Sequence, residues 1–299
     1  MAFKRIIEMS SASDTEKISI TDLFMSFEVE KTDVTTPNKA TIKIYNLSKD
    51  TAVKFGKIKN TLTIKFGYED ESGAQIVFIG SINKSEYRKE STEKILEIEA
   101  FDGLSNSLEK NFDASYGENA LDANILQDLI DNLGLPVASP IPKFTGNYSG
   151  GFAFIGKTIQ ALSKVVAKNK YQWTIQNNQL YFYKEGESYR DVAVQELLLT
   201  PNTGLLSISP VEQDAALTGG KKAFKGNYKI VSLIFPQLIP SSTVKIESAD
   251  VSGRAVILSC KLTADNRDGD ANAECEALAL APEPLPLQSG NLADTGNLA

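Results

Sequence analysis

The chain has 299 residues, of which 42% are hydrophobic and 23% charged, and its formal net charge is −7 at pH 7. This composition is that of a globular protein long enough for two or three domains, and its acidic balance argues against a nucleic-acid-binding surface built from clustered Lys and Arg. The sequence contains no histidine, which excludes Ser-His-Asp and Cys-His catalytic arrangements within one chain and removes the commonest metal ligand.

Residues 1–105 alternate apolar and polar side chains with period two, as strands with one buried face do. The pattern is clearest in the segments 40–45, 61–68 and 96–100. The more fully apolar segment 76–79 is typical of a strand covered on both faces. Ser48 is placed to cap a short helix that runs to Phe55. We therefore expect an antiparallel sandwich or barrel in this first third.

Residues 106–190 change to the period of a helix. Leu and Ile recur every four residues from 121 to 133, and Gly134 follows as a C-cap. A second helix is predicted from about 157 to 169, followed by two aromatic strands that Asn177-Asn178 joins in a tight turn. The middle of the chain is therefore predicted to be a small α/β module of two helices and a hairpin.

Residues 191–281 return to strands, which prolines and glycines interrupt. The predicted strands are 205–209, 228–235, 244–248, 255–262 and 273–280. A tail at 282–299 is rich in Pro, Gln, Ser, Gly and Asn and cannot build a core, so we expect it to be extended or disordered. The predicted fold is mainly β, with two antiparallel barrel or sandwich domains separated by the α/β module.

A P-loop pattern, G-x-x-x-x-G-K-T, occurs at residues 151–158. Its four defining residues are Gly151, Gly156, Lys157 and Thr158. A P-loop needs a strand before the loop and small residues close to the phosphate. The sequence before 151 is polar and glycine-rich, and the residues inside the pattern are large: Phe152, Phe154 and Ile155. We interpret the match as a false positive in which these three side chains fill the core below a helix that begins near Gly156, and we predict no cofactor.

Two further patterns suggest binding sites but fail on their details. Asp265–Asp270 resembles a calcium loop, yet reading from Asp265 places Arg267 at the third ligand position. A turn between two strands is the favoured interpretation, and no metal site is predicted. The aromatic cluster of the hairpin could stack on a sugar, although its alternation favours half of it as a core face. The cluster consists of Tyr171, Trp173, Tyr181 and Tyr183.

The two cysteines, Cys260 and Cys275, are too few for a four-cysteine zinc site. Two buried thiols in a reducing compartment are favoured, and a single disulfide remains open. The N-terminal segment 1–8 lacks the apolar core of a signal peptide, and no run approaches the ~20 apolar residues of a membrane helix. We therefore expect a protein that is made in the cytosol, stays soluble and does not insert into membranes.

The segment 36–48, Thr-Pro-Asn-Lys-Ala-Thr-Ile-Lys-Ile-Tyr-Asn-Leu-Ser, resembles the opening of tailed-phage baseplate hub proteins of the late control protein D-like family. The similarity continues in order along the chain to residue 280, through the helices and hairpin of the middle third. Its further elements are Gly67-Tyr68, 78–82, 100–103, 204–210 and 233–240. The chain departs from the family at Pro240-Ser-Ser242, where a Pro-Gly turn is expected, and at 265–270, which keeps only the outline of the usual loop.

The resemblance implies a structural protein of the virion tail baseplate, with a contractile tail favoured, that is assembled in the host cytoplasm. Three copies would form a pseudo-sixfold ring from two tail-tube-like β-domains per chain. This homotrimer would join the tail tube to the central spike and let DNA pass during ejection. Its implied partners are the central spike protein, a tail-tube or tube-initiator protein and a tape-measure protein, without sequence-specific binding of nucleic acid. We expect part of the acidic charge to line the lumen.

Other functions are compatible with parts of this pattern. A receptor- or carbohydrate-binding tail-tip protein of a flexible-tailed phage or injection particle would share the fold and expose the aromatic cluster. A lytic tail-tip enzyme would carry an appended hydrolase domain, and none is expected because the last predicted strand lies close to the end of the sequence. We therefore predict that the chain is not an enzyme.

Overall fold

The computed structural model describes the chain in segments. They are 4–32, 37–69, 73–103, 110–184, 197–211, 226–249, 251–267 and 269–280. These segments contain nineteen strands and three α-helices, so the predicted mainly β fold class is confirmed. No helix among them is long and apolar enough to cross a membrane. The predicted tail at 282–299 lies outside the described residues.

The first third is built from seven strands and one short helix. They are β1 (Arg5–Ala12), β2 (Lys17–Ile20), β3 (Met25–Thr32), β4 (Lys39–Tyr45), α1 (Lys49–Phe55), β5 (Thr61–Tyr68), β6 (Gln75–Glu90) and β7 (Glu93–Phe101). The strands predicted at 40–45, 61–68 and 96–100 are confirmed. Ser48 caps α1 by accepting the N–H of Thr51 at 3.2 Å, as predicted. Ile76 is 40% exposed, so the prediction that this strand is covered on both faces is wrong at its start.

The middle third contains the two predicted helices and hairpin together with four short strands. They are β8 (Asn111–Tyr116), β9 (Ala120–Leu121), α2 (Asp122–Leu133), β10 (Asn147–Tyr148), β11 (Phe152–Lys157), α3 (Thr158–Lys168), β12 (Tyr171–Gln176) and β13 (Gln179–Lys184). Gly134 ends α2 in the left-handed conformation, with φ of 67°. Asn177 and Asn178 have φ of 53° and 60°, which confirms the tight turn between β12 and β13. The apolar faces of both helices and of the hairpin form one core.

The last third adds six strands. They are β14 (Leu197–Leu199), β15 (Leu205–Pro210), β16 (Asn227–Ser232), β17 (Thr243–Glu247), β18 (Ser252–Asp265) and β19 (Asn272–Ala279). The five strands predicted here are confirmed to within a few residues at their ends. Most of the pairings are antiparallel, and β14 with β17 is a parallel exception.

A single sheet of thirteen strands links the first and last thirds of the chain, in the order β15-β16-β19-β18-β3-β4-β7-β6-β5-β1-β2 with β17 and β14 branching from β18. The link is the antiparallel pair of β3 and β18, in which Val29 faces Leu262. One hydrophobic core accordingly contains buried residues from both thirds. The domain boundaries near 105, 190 and 281 stay predictions.

Candidate functional site: the junction below the aromatic hairpin

The turn of the β12–β13 hairpin rests on a buried carboxylate at the end of β7. Asp102 is 1% exposed and accepts the backbone N–H groups of Asn177 and Asn178, each at 2.6 Å. Because both asparagines lie in the turn, their N–H groups have no place in the ladder between the two strands. Asp102 therefore satisfies two donors that burial would otherwise leave without partners.

A second set of hydrogen bonds ties the hairpin to β3. Asn38 accepts the N–H of Thr32 through Oδ1 at 2.8 Å, and its Nδ2 donates to Gln176 Oε1 at 3.0 Å and to Asp102 at 3.1 Å. Gln176 Nε2 in turn donates to the carbonyl oxygen of Thr32 at 3.2 Å. These amide groups are buried, so their hydrogen bonds fix the position of the hairpin on the sheet.

Burial and hydrogen bonding shift the pKa of Asp102 in opposite directions. Burial raises its pKa, because a desolvated carboxylate is disfavoured. The donors from Asn178, Asn38 and Asn177 oppose that rise, as does the positive charge of the buried Lys31 on β3. The net direction is a raised pKa, with burial as the largest cause.

Helices α2 and α3 are joined by an ion pair between a buried carboxylate and a partly exposed lysine. Lys168 Nζ lies 2.7 Å and 2.9 Å from the two carboxylate oxygens of Asp122, which is fully buried. Asn169 Nδ2 donates to the same carboxylate at 2.9 Å. The Lys168 ammonium also lies 3.7 Å from the centre of the Tyr148 ring. This network fixes the helix pair against which the hairpin packs.

The turn between β18 and β19 also joins distant strands. Asp265 Oδ1 accepts the N–H groups of Arg267 at 2.8 Å and Gly269 at 3.1 Å, so its carboxylate is used inside the turn. Asn266 donates to the carbonyl oxygen of Leu23 at 2.7 Å and accepts the N–H of Met25 at 3.0 Å. The predicted turn is confirmed. Across the described ranges, no group of three or more Cys, Asp or Glu side chains is arranged to hold a metal ion.

The P-loop pattern is an extended strand in the structure. Strand β11 pairs antiparallel with β8, from Phe152 opposite Tyr116 to Lys157 opposite Asn111, and runs directly into α3. The expectation of a loop before residue 151 is wrong only at the two-residue strand β10, and α3 begins at Thr158, close to the predicted start near Gly156. Gly156 and both phenylalanines of the pattern lie inside this ladder, so their backbone does not wrap around a phosphate-sized space.

The side chains of the same segment alternate between two faces. Phe152 is buried and Phe154 half-buried, whereas Ile155 is 83% exposed because it points away from the helices. The prediction that all three fill the core is wrong for Ile155. Thr158 is buried and donates to Asn132 Oδ1 at 2.7 Å and to the carbonyl oxygen of Lys110 at 3.0 Å. Its hydroxyl thus serves helix packing, and the interpretation of the match as a false positive stays a prediction.

The aromatic hairpin is largely covered. Trp173 is buried opposite Phe182 in the core of the module, and its Nε1 donates to Ser163 Oγ at 3.1 Å. Tyr183 is buried, while Tyr171 and Tyr181 are half-buried. The prediction that half of the cluster forms a core face is therefore confirmed, and no flat exposed row of aromatic rings is present in this part of the described chain.

Sequence reasoning did not find the residues of the junction. The junction residues are single polar residues at strand ends: Asp102, Asn38 and Gln176. Polar residues are common where strands pass into turns, so none of the three stands out in the sequence. The one available signal was Asp102-Gly103 directly after an alternating strand, combined with Asn177-Asn178 in a turn that leaves N–H groups unpaired. Only the fold shows that these two places meet.

Comparison with solved structures identifies proteins of similar fold. The 43 kDa tail protein of prophage MuSo2 from Shewanella oneidensis has a TM-score of 0.62 at 10% identity, covering 92% of this chain and 98% of that chain. A tail protein from Neisseria meningitidis MC58 has a TM-score of 0.59 at 10% identity, covering 91% and 96%. The E. coli c3393 protein, a component of the type VI secretion system, has a TM-score of 0.59 at 12% identity, covering 86% and 74%.

No protein-family model matches the sequence, and no curated protein matches it. The likeness to solved structures lies at identities at which it extends to the fold alone. The chain therefore shares, along nearly its whole length, the fold of phage tail proteins and of a type VI secretion component.

Proposed function

We propose that the chain is a structural subunit of a phage tail baseplate, with the role of a hub. Three copies form a pseudo-sixfold ring that joins the tail tube to the central spike and lets DNA pass. The observation that carries this proposal is the fold shared with the Shewanella prophage tail protein over 92% of this chain and 98% of that one. A match over most of both chains supports a common architecture rather than one shared motif.

The edges of the large sheet support association with further chains. Within the described residues, β2 pairs with β1 alone and β15 pairs with β16 alone, so each presents one unpaired side. Exposed sheet edges promote pairing with other chains, and a closed ring of subunits removes them. The proposed β-domains are 1–105 and 191–281, with the α/β module 106–190 between them.

The solvent face of the sheet near β3 and β18 carries paired charges. Lys261 Nζ lies 2.9 Å from Glu28 Oε2, and Lys229 Nζ lies 2.7 Å from Glu274 Oε2. Such a face is suited to polar contacts with water or with another subunit rather than to a hydrophobic partner. The burial of Trp173 and Tyr183 favours this structural role over recognition of carbohydrate. We propose that the protein uses no cofactor and catalyses no reaction.

Light scattering coupled to size-exclusion chromatography tests the oligomer. We expect a particle of three 32.5 kDa chains, and electron microscopy of that fraction should show threefold rings with a central opening. Co-expression with the tail-tube and spike proteins of the same phage should yield a complex that keeps the threefold symmetry. A closed dimer, or a monomer that binds neither co-expressed protein, would count against the hub role.

A further inference from the structure

The two cysteines face each other across neighbouring strands in the interior of the sheet. Cys260 on β18 is paired with Cys275 on β19, and on its other side with Lys31 on β3. Cys260 is 2% exposed, Cys275 1% and Lys31 2%, so all three lie on the buried face. Both thiols are free.

The hydrogen-bond pattern shows what kind of pair the cysteines form. In an antiparallel ladder, hydrogen-bonded and non-hydrogen-bonded pairs alternate along the strand. The N–H of Asn266 donates to the carbonyl oxygen of Met25 at 3.2 Å, which makes that position of the β3–β18 ladder a hydrogen-bonded pair. From Asn266 to Cys260 the register with β3 has no shift, and the two residues are an even number of positions apart. Since hydrogen-bonded pairs recur at every second residue, Cys260 and Lys31 are also a hydrogen-bonded pair.

The N–H and C=O groups of Cys260 therefore point towards β3 and away from β19. On the β19 side, Cys260 and Cys275 are a non-hydrogen-bonded pair, the kind in which side chains approach most closely and Cα atoms lie about 4.5 Å apart. This separation falls inside the range of about 4.4–6.8 Å that disulfides span.

We propose that Cys260 and Cys275 are a site of reversible oxidation, at which an intrachain disulfide joins β18 to β19. The proposal concerns a modification of the chain and is independent of the baseplate role. The disulfide would close the loop that contains the 265–270 turn, next to the strand pair that links the first and last thirds of the chain.

A disulfide compound such as oxidised glutathione is a sufficient oxidant. The thiolate of one cysteine attacks a sulfur of the oxidant, forms a mixed disulfide and releases one reduced glutathione. The second cysteine, as thiolate, then attacks the protein sulfur of that mixed disulfide and releases another. The protein loses two protons and two electrons in total, and the oxidant gains them.

Burial controls how fast this exchange occurs. Hydrogen bonding of the Cys275 S–H to Cys260 and the loss of water both raise the pKa of the Cys275 thiol, so little reactive thiolate is present at Cys275 while the strands are closed. Oxidation therefore requires local opening of β19, and the closed disulfide is equally shielded from reductants. The site should consequently react slowly in both directions.

Thiol counting after equilibration with oxidised glutathione tests the proposal. The full chain is incubated in a urea concentration below its unfolding midpoint, denatured, alkylated and weighed by mass spectrometry. We expect both alkylation sites to be lost, an intact mass lower by two hydrogen atoms, a mapped peptide pair joining Cys260 to Cys275, and a higher melting temperature than that of the reduced protein. Cys260→Ser and Cys275→Ser each should retain one alkylated thiol or carry one glutathione.

The wild-type measurement is decisive even if either variant fails to fold. Two alkylated cysteines per chain after equilibration would overturn the proposal. So would a product dominated by stable mixed disulfides with glutathione or by disulfides between chains, since either would show that the two sulfur atoms do not reach each other in the native sheet.

Discussion

The backbone N–H of Asn178 donates to the carboxylate of Asp102 at 2.6 Å, although 76 residues separate the two in the sequence. Asp102 lies at the end of a strand of the large sheet, and Asn178 lies in the turn of the aromatic hairpin. The pair is therefore a direct link between the sheet and the α/β module. Since the hairpin packs on both helices, the orientation of the whole module depends on this contact and on its neighbours from Asn38 and Gln176.

Replacing Asp102 tests how strongly this link holds the module. In Asp102→Ala, the N–H groups of Asn177 and Asn178 lose their acceptor while they stay partly buried, which costs about 1–3 kcal/mol of the free energy of unfolding. Urea denaturation at neutral pH measures this loss. Hydrogen exchange at the two turn amides should accelerate more than exchange in the core of β4.

The matched control is Asp113→Ala, because Asp113 is exposed on β8. We expect this variant to lie within about 0.5 kcal/mol of the wild type. Equal losses in the two variants would show that the hydrogen bonds of Asp102 contribute nothing specific to the junction.

The free energy of unfolding should depend on pH through the titration of Asp102. Its pKa is raised in the folded state, so the folded chain still holds a proton at pH values where the unfolded chain has lost it. The free energy of unfolding therefore falls as the pH rises from the ordinary carboxyl pKa of 3.8 to the raised value. Asp102→Asn has no proton to lose, so the stability of the wild type relative to this variant should decline over that range. The opposite slope would mean that the hydrogen-bond donors outweigh burial and hold the group as a carboxylate.

The ion pair between Asp122 and Lys168 should stabilise the helix pair. In Lys168→Met the carboxylate of Asp122 stays buried without its cation, and removing one partner of such a pair costs about 3–5 kcal/mol. Because Lys168 is partly exposed, we expect a value near the lower end, measured by urea denaturation. Lys143→Met, at an exposed position of the same module, should leave stability nearly unchanged.

A double-mutant cycle with Asp122→Asn separates the pair from the individual side chains. The double variant should be more stable than Lys168→Met alone, since a neutral amide tolerates burial without a cation. An additive result would show that the two groups are not coupled.

Nucleotide binding provides a test of the P-loop pattern. Lys157 and Gly156 belong to a strand paired with β8, and Thr158 Oγ1 donates to protein acceptors. We therefore expect isothermal titration of ATP or GTP with magnesium to show no saturable binding to the wild type. Saturable binding that is lost in Lys157→Ala would contradict the assignment of these residues to a structural strand.

Local sequence patterns predicted the structure correctly wherever an element depends only on residues close to it in the sequence. The period-two segment of β4, the cap at Ser48 and the asparagine turn at 177–178 depend on neighbouring residues and were predicted correctly. The segment 152–157 was misassigned because its large apolar residues suit a core plug as well as a strand. Its alternation, with Phe152 inside and Ile155 outside, becomes evident only beside β8.

Partners that lie far apart in the chain could not be found from patterns. Asp102-Gly103 after an alternating strand indicates a turn, but it does not indicate which distant part of the molecule the carboxylate of Asp102 contacts. In the sequence Lys31 is a polar residue at the end of a strand, a position that predicts exposure to solvent. In the sheet it lies on the buried face, next to Cys260. Both features follow from strand order, which period and composition do not specify.

Strand β3 leaves the ribosome long before its partner β18 is made, because the register pairs Phe27 with Ala264. The first third therefore cannot complete its sheet before β18 is synthesised, and until then one edge of β3 has no strand paired with it. Contacts between residues so far apart in the sequence slow folding, and an unpaired strand edge can form non-native pairings with other strands. Emergence of β18, rather than of the first β-rich segment, should be the event that allows this sheet to be completed, and folding factors that shield strand edges should raise the yield of soluble protein.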